Sequence, residues 1–176
     1  MLSEALKERI RKIKLLLVDV DAVLTDGRIV YGDYGDELKF FDVQDGHGLS
    51  MLRRAGIRFV LLSGRKSKIN VRRAKELGAS GLHQLAHDKL KVYALALKKY
   101  RVLPEEICYV GDDLIDLPVL VRVGFAVAVA NAVPEVRERA HYVTAKSGGR
   151  GAVREVTDLL LKEQGKWAEA VERYYR

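Results

Sequence analysis

Apolar residues in this chain fall into short unbroken runs that alternate with longer amphipathic stretches. The first run, Leu15-Leu16-Leu17-Val18, follows Lys14 and closes on Asp19-Val20-Asp21. A segment of that length, apolar at every position, fits a strand buried on both faces. Arg58-Phe59-Val60-Leu61-Leu62 and Ile107-Cys108-Tyr109-Val110 repeat the pattern; Phe125 to Val129, Tyr142-Val143 and a short Gly81-Leu82 segment extend it. Between these runs, helical spacing predicts helices over about 46–55, 69–77, 89–100 and 152–162, with Pro118 in the first turn of one short helix and Pro134 opening another. Leu6, Ile10 and Ile13 place one more amphipathic helix at the N-terminus. Residues 28–42 break the alternation. There, Arg28 to Tyr31 and Glu37 to Phe41 flank Gly32-Asp33-Tyr34-Gly35, which predicts a β-hairpin. Strand and helix in turn predict an α/β fold on a doubly wound parallel sheet. The length, 176 residues, is that of one domain, 1–176, carrying hairpin 28–42.

Three of the runs end in polar groups, each time at the C-terminal end. Asp19 and Asp21 close the first, Ser63-Gly64-Arg65 the second, and Gly111-Asp112-Asp113, with Asp116 just beyond, the third. In an open parallel sheet this is the edge where ligands bind. Two carboxylates spaced by two residues repel unless something neutralises them. A divalent cation does so through a carboxylate and a nearby backbone carbonyl, since it is a hard ion that prefers oxygen; the plainer reading is an exposed strand end with helix-capping aspartates. Lys89, behind His87-Asp88, opens the amphipathic segment Leu90 to Tyr100 and on its own also fits a solvated lysine at a helix start. Ser63 by itself fits a helix cap.

Composition narrows the class of protein. A hydrophobic content of 48% is that of a globular chain able to bury a core. No apolar stretch approaches the length of a membrane span, and Met1 to Lys7 reads as the start of a charged amphipathic helix without a signal-peptide region, so a cytoplasmic protein with no membrane partner is expected. A lone cysteine, Cys108, excludes an intrachain disulfide and fits a buried apolar role. The net charge of +7 raises the question of nucleic acid. Its basic residues, at Lys7 to Lys14, Arg65 to Lys75 and Lys98 to Arg101, alternate with apolar ones at helical spacing and read as solvated helix faces. With no zinc-finger spacing and no RNA-binding aromatic motif, no nucleic-acid partner is expected. A basic surface would also gather a small, strongly anionic substrate.

An aspartate pair, a hydroxyl, a lysine and a second acidic cluster, in that order, resemble the haloacid dehalogenase superfamily of phosphohydrolases over roughly residues 14–144. A narrower likeness runs along nearly the whole chain. Asp19-Val-Asp-Ala-Val-Leu-Thr-Asp-Gly27, Ser63-Gly-Arg-Lys-Ser67, Tyr109-Val-Gly-Asp-Asp-Leu-Ile-Asp116 and Gly148-Gly-Arg-Gly-Ala-Val-Arg-Glu155 look like the 3-deoxy-D-manno-octulosonate 8-phosphate phosphatases. One departure is Ala22, where that family usually has glycine.

The resemblance implies a Rossmann-like sheet with the small hairpin in place of a cap domain, and a Mg²⁺-dependent phosphatase serving lipopolysaccharide synthesis. Asp19 would be the nucleophile that forms an aspartyl phosphate, and Asp21 the general acid and base. Mg²⁺ would be held by Asp19, the backbone carbonyl of Asp21 and Asp112, with Asp113 and Asp116 farther out or acting through water. Lys89 would neutralise phosphate charge, while Ser63 and the Gly64 N–H would donate to the phosphoryl oxygens. Arg65 and Arg150 are candidates for the sugar acid's carboxylate, which a guanidinium binds with a paired fork; for Arg150 a flexible loop with an exposed arginine fits as well. The likeness also implies a homotetramer in which a neighbouring chain helps complete each site. Ile29, Tyr31, Leu38 and Phe40 give the hairpin an apolar side that suits this, although a hairpin folded onto its own domain would use them too. Two rivals remain: a phosphatase of a nine-carbon sialic-type acid 9-phosphate, and a non-catalytic oligomerising module.

Overall fold

The computed structural model describes residues 2–176. Six parallel strands form one sheet: β1 (Leu15–Asp19), β4 (Arg58–Leu62), β5 (Gly81–His83), β6 (Ile107–Gly111), β7 (Phe125–Ala128) and β8 (Tyr142–Val143), in the order β5-β4-β1-β6-β7-β8. The remaining two, β2 (Val30–Tyr31) and β3 (Glu37–Leu38), pair antiparallel as the hairpin. Helices α1 (Glu4–Arg11), α2 (Val43–Arg54), α3 (Lys68–Leu77), α4 (Lys89–Tyr100), α5 (Leu117–Leu120), α6 (Pro134–Arg139), α7 (Ala152–Glu163) and α8 (Trp167–Glu172) complete the chain. Sheet and helices match the α/β reading of the sequence.

β1 lies between β4 and β6 and is buried at all five positions, which accounts for its unbroken apolar pattern. The chain first winds outward from β1 through β4 to β5, then returns to β6 on the other side of β1 and winds out to β8. The reversal between β1 and β6 opens a crevice at the carboxyl ends of the strands. Register delivers the polar groups to it: Asp19 pairs with Leu62 of β4, and Val18 with Val110 of β6, so Asp19, Ser63 and Asp112 emerge side by side.

Local chemistry sets the helix ends. Asp42 accepts the N–H of Gln44 at 2.6 Å, which starts α2 at Val43, three residues before the sequence pattern placed it. Ser67 caps α3 through Ile69, and Gly78, in the left-handed conformation, ends it. The hairpin strands are shorter than the runs that predicted them, with the ladder confined to two residue pairs. α8 was not expected from the sequence; Gly165 at φ +68° turns the chain out of α7, and Trp167 then packs against the core. Cys108 is a free, buried thiol in β6. Among the described residues, no helix is long and apolar enough to cross a membrane.

Candidate active site

Asp19 ends β1, and burial pushes its carboxyl well above the usual carboxylate range, against the pull of the Lys89 ammonium. Lys89 reaches it from the first residue of α4. Its Nζ donates to Asp19 Oδ1 at 2.6 Å and also to Asp116 Oδ1, with a side chain fully withdrawn from solvent. Burial works against the Lys89 charge, but the two carboxylates outweigh it and hold its pKa above the ordinary value. Lys89 is therefore a buried cation whose place is fixed by two anions.

Asp116 and Asp113, both expected beyond the metal's own ligands, take different places. Asp116 is fully buried and in direct contact with the cluster: Oδ1 also accepts from the Tyr109 hydroxyl, and Oδ2 accepts the backbone N–H groups of Asp112 at 2.9 Å and Asp113 at 3.1 Å. With both oxygens engaged by protein donors, Asp116 anchors Lys89 and the loop after β6. Asp113 faces away, exposed, and accepts the N–H of Leu114 at 2.7 Å as the cap of a short 3₁₀ turn, so its carboxylate serves its own backbone.

Asp19, Asp112 and Asp116 offer carboxylate oxygens within 4.8 Å of one another. Burial, and next the charge of Asp116, push Asp112 from 3.8 up to about 7. Three acids around a single ammonium are an excess of negative charge that a cation would relieve. An all-oxygen donor set suits Mg²⁺, and because Asp116 is already saturated, Asp19 and Asp112 are the carboxylates left to hold it.

Asp21 lies in the turn beyond β1. Its Oδ2 accepts from the Ser63 hydroxyl at 2.7 Å, and its Oδ1 meets Lys39 Nζ at 2.5 Å. The sequence reading missed Lys39; the hairpin that carries it has no motif, only the alternation that points every second residue inward. Ser63 is fully buried, and its Oγ also accepts the N–H of Arg65 at 3.1 Å. Gly64 has open space about its Cα, since an added Cβ would meet nothing nearer than His87 Nδ1 at 4.0 Å, so its backbone is open to an anion. Arg65 turns to the hairpin, where it donates to Tyr31 Oη at 3.2 Å and Glu37 Oε1 at 3.3 Å. It borders a cleft of about 590 Å³ shared with Tyr34, Lys66 and Ser67. Arg150 is exposed and lies 3.9 Å from Asp26. A larger depression, of about 830 Å³, lies around Lys14 and Arg58 at the opposite end of the strands and holds none of these groups.

The turn itself is braced from the glycine-rich segment. Ala22 sits at φ +67°, in the left-handed region that favours glycine. The Gly149 N–H donates to Val23 O at 3.0 Å, and a Cβ on Gly148 would fall 1.7 Å from the Ala22 carbonyl oxygen. Asp45 of α2 holds this segment from behind: it accepts the N–H groups of Gly151 at 3.3 Å and Arg154 at 2.7 Å, where α7 begins.

Known proteins resemble this chain in both sequence and fold. A model for haloacid dehalogenase-like hydrolases matches residues 82–156. The chain is 49% identical over 158 residues to the 3-deoxy-D-manno-octulosonate 8-phosphate phosphatase of Escherichia coli K12, covering 90% of this chain and 84% of that protein. It superposes on the crystal structure of the Yersinia pestis phosphatase with a TM-score of 0.93 at 45% identity, covering 94% and 90% of the two chains. The Moraxella catarrhalis phosphatase, solved with a magnesium ion, a phosphate ion and the sugar acid, gives a TM-score of 0.93 at 40% identity over 97% and 98%. Identity approaching one half along nine-tenths of the chain means that this protein belongs to the 3-deoxy-D-manno-octulosonate 8-phosphate phosphatase family of haloacid dehalogenase-like hydrolases.

Proposed function

We propose that this chain is a Mg²⁺-dependent phosphatase that hydrolyses 3-deoxy-D-manno-octulosonate 8-phosphate to the free sugar acid and phosphate, in the cytoplasm, on the way to lipopolysaccharide. The observation that carries the reading is the buried Asp19, bonded through Oδ1 to Lys89 and clustered with Asp112 and Asp116, in a chain so close to known phosphatases of that substrate. Intact acids and lysine also argue against a non-catalytic module.

Phosphate monoesters resist hydrolysis because an anion must be attacked by an electron-rich nucleophile. Asp19 Oδ2, which no donor among the described residues engages, attacks phosphorus while the bond to the sugar oxygen breaks. Asp21 gives that oxygen its proton, and an aspartyl phosphate remains on Asp19. Water then attacks phosphorus and loses its proton to Asp21, which releases phosphate and restores Asp19. Lys89 offsets charge on the phosphoryl group, and the Gly64 N–H donates to its oxygens, joined by the Ser63 hydroxyl once its single proton turns from Asp21 Oδ2 to the substrate, which leaves Lys39 as the donor still holding Asp21. Asp19, Asp112 and the Asp21 backbone carbonyl would hold Mg²⁺, whose positive charge would offset that of the phosphoryl oxygens. Asp116 keeps Lys89 in place, and Arg65 and Arg150 are the arginines offered to the substrate carboxylate.

Residues 1–176 act as one domain in this reading, and four copies assemble through their hairpins so that a neighbour covers each site. In support, Ile29, Leu38 and Phe40 are each about half exposed and Tyr31 is 70% exposed on the hairpin, an apolar patch unusual for a free surface.

The test is phosphate release from a panel of phosphorylated sugar acids, with and without chelator. The eight-carbon acid 8-phosphate should turn over fastest; chelation should abolish turnover, Mg²⁺ should restore it, and Ca²⁺, larger and more highly coordinated, should not. Preference for a nine-carbon acid 9-phosphate would replace the substrate assignment, and full activity in chelator would overturn the metal.

A further inference from the structure

The hairpin meets the site through its inward face. In an extended strand alternate residues point the same way, and from Glu37 onward this chain alternates Glu37, Lys39 and Phe41 with Leu38 and Phe40. Leu38 and Phe40 are about half exposed. Glu37 instead bonds Arg65, Lys39 bonds Asp21, and Phe41 packs against the core. The Lys39 side chain is only 4% exposed, an unusual place for a lysine whose partner among the described residues is one carboxylate.

These contacts close a ring. Lys39 Nζ holds Asp21 Oδ1 at 2.5 Å; Asp21 Oδ2 accepts from Ser63 Oγ at 2.7 Å; Ser63 Oγ accepts the Arg65 N–H at 3.1 Å; the Arg65 side chain returns to Glu37 and Tyr31 on the hairpin. Each oxygen of Asp21 is thus tied to a different element, one to the hairpin and one to the loop after β4. Asp21 stands in the turn after β1, and among the described residues Lys39 and Ser63 are the donors to its carboxylate, so its direction depends on those two. Ser63 alone would let the carboxylate rotate about its remaining oxygen.

We propose that Lys39 is a positioning residue for the known reaction: from the hairpin it fixes the direction of the Asp21 carboxylate, and so couples hairpin placement to proton transfer at the leaving oxygen. The inference rests on the reading of Asp21 as general acid and base, and it concerns geometry at Asp21, with no contact between Lys39 and phosphorus required.

A step that needs a proton delivered is sensitive to leaving-group basicity. The alkoxide of a sugar must be protonated as it departs, whereas p-nitrophenolate leaves without help. Lys39→Met, which keeps the length and removes the charge, should lower kcat on the sugar acid phosphate about tenfold to a hundredfold, and at least about tenfold more than it lowers kcat on p-nitrophenyl phosphate, with Lys39→Arg recovering much of the difference. Asp21→Asn should show the same leaving-group dependence more strongly, and adding Lys39→Met to it should cost nothing further, as for two residues acting as a unit. Equal losses on both esters, a change in KM alone, or additive effects in the double variant would each overturn the positioning role. If Asp21→Asn itself shows no leaving-group dependence, the general-acid reading fails first and the proposal falls with it. If Asp21→Asn shows the dependence and Lys39→Met does not, only the role of Lys39 is lost.

Discussion

At the scale of single residues, the site is a balance of buried charges, and its members are not interchangeable. Asp19→Asn keeps the shape of the side chain while removing the nucleophile and one anion from the pair with Lys89. Turnover should fall by about three orders of magnitude or more with the fold retained, as read by steady-state kinetics beside circular dichroism; a tenth of the activity surviving would rule out a covalent route through Asp19. Ala22 provides a test of strain. At φ +67° an alanine is held where glycine is at ease, a penalty of about 1–2 kcal/mol that is partly offset because glycine loses more freedom on folding. Ala22→Gly should therefore raise stability by about 0.5–1 kcal/mol in urea unfolding, and an unchanged or lower midpoint would show that the turn is relaxed as it stands.

At the scale of elements, the same catalytic turn is held from two sides, by the hairpin through Lys39 and by the segment before α7 through Gly148 and Gly149. That second brace is pegged by Asp45, whose carboxyl burial raises from 3.8 to about 6, with backbone donors from Gly151 and Arg154 acting against the rise. Because the folded carboxyl holds its proton to higher pH than the unfolded one, its stabilising contribution is complete below pH 3.8 and is lost as pH climbs through about 6. Relative to Asp45→Asn, which cannot titrate, the native chain should lose up to about 3 kcal/mol between these limits. Urea unfolding of both proteins with saturating Mg²⁺ at several pH values measures the difference, and parallel curves would contradict it.

At the scale of the whole molecule, the apolar side of the hairpin is the feature that a lone chain leaves unsatisfied. If four copies bury it, Leu38→Glu with Phe40→Glu should split the assembly, because a charge buried without a partner is costly. Both side chains point away from Asp21 and Arg65, so the substitution spares the inward face. Sedimentation should show a fall in mass, and activity on the sugar acid phosphate should drop more than activity on a small generic ester. A native monomer with full activity on the sugar acid would mean that each chain covers its own site.

The sequence by itself determined the strands, their order of polar endings and the identity of the acids, because a doubly buried strand must be apolar throughout and its chemistry can only appear where it ends. Asp19, Asp21, Ser63, Lys89 and Asp112 are legible for that reason, each at a strand end or a helix start. Tertiary structure alone decided how those groups are divided. Asp113 and Asp116 stand three residues apart in the same acidic run, yet one caps a turn in solvent and the other binds Lys89 in the interior, a distinction that depends on which way a 3₁₀ turn rotates them. Tyr109 reads in the sequence as one more strand residue, yet its hydroxyl donates to Asp116. Lys39 is separated from Asp21 by eighteen residues and belongs to a two-stranded hairpin too short to announce its register. Which of its residues face the catalytic carboxylates depends on how that hairpin folds back onto the turn after β1, a long-range contact that no local pattern encodes.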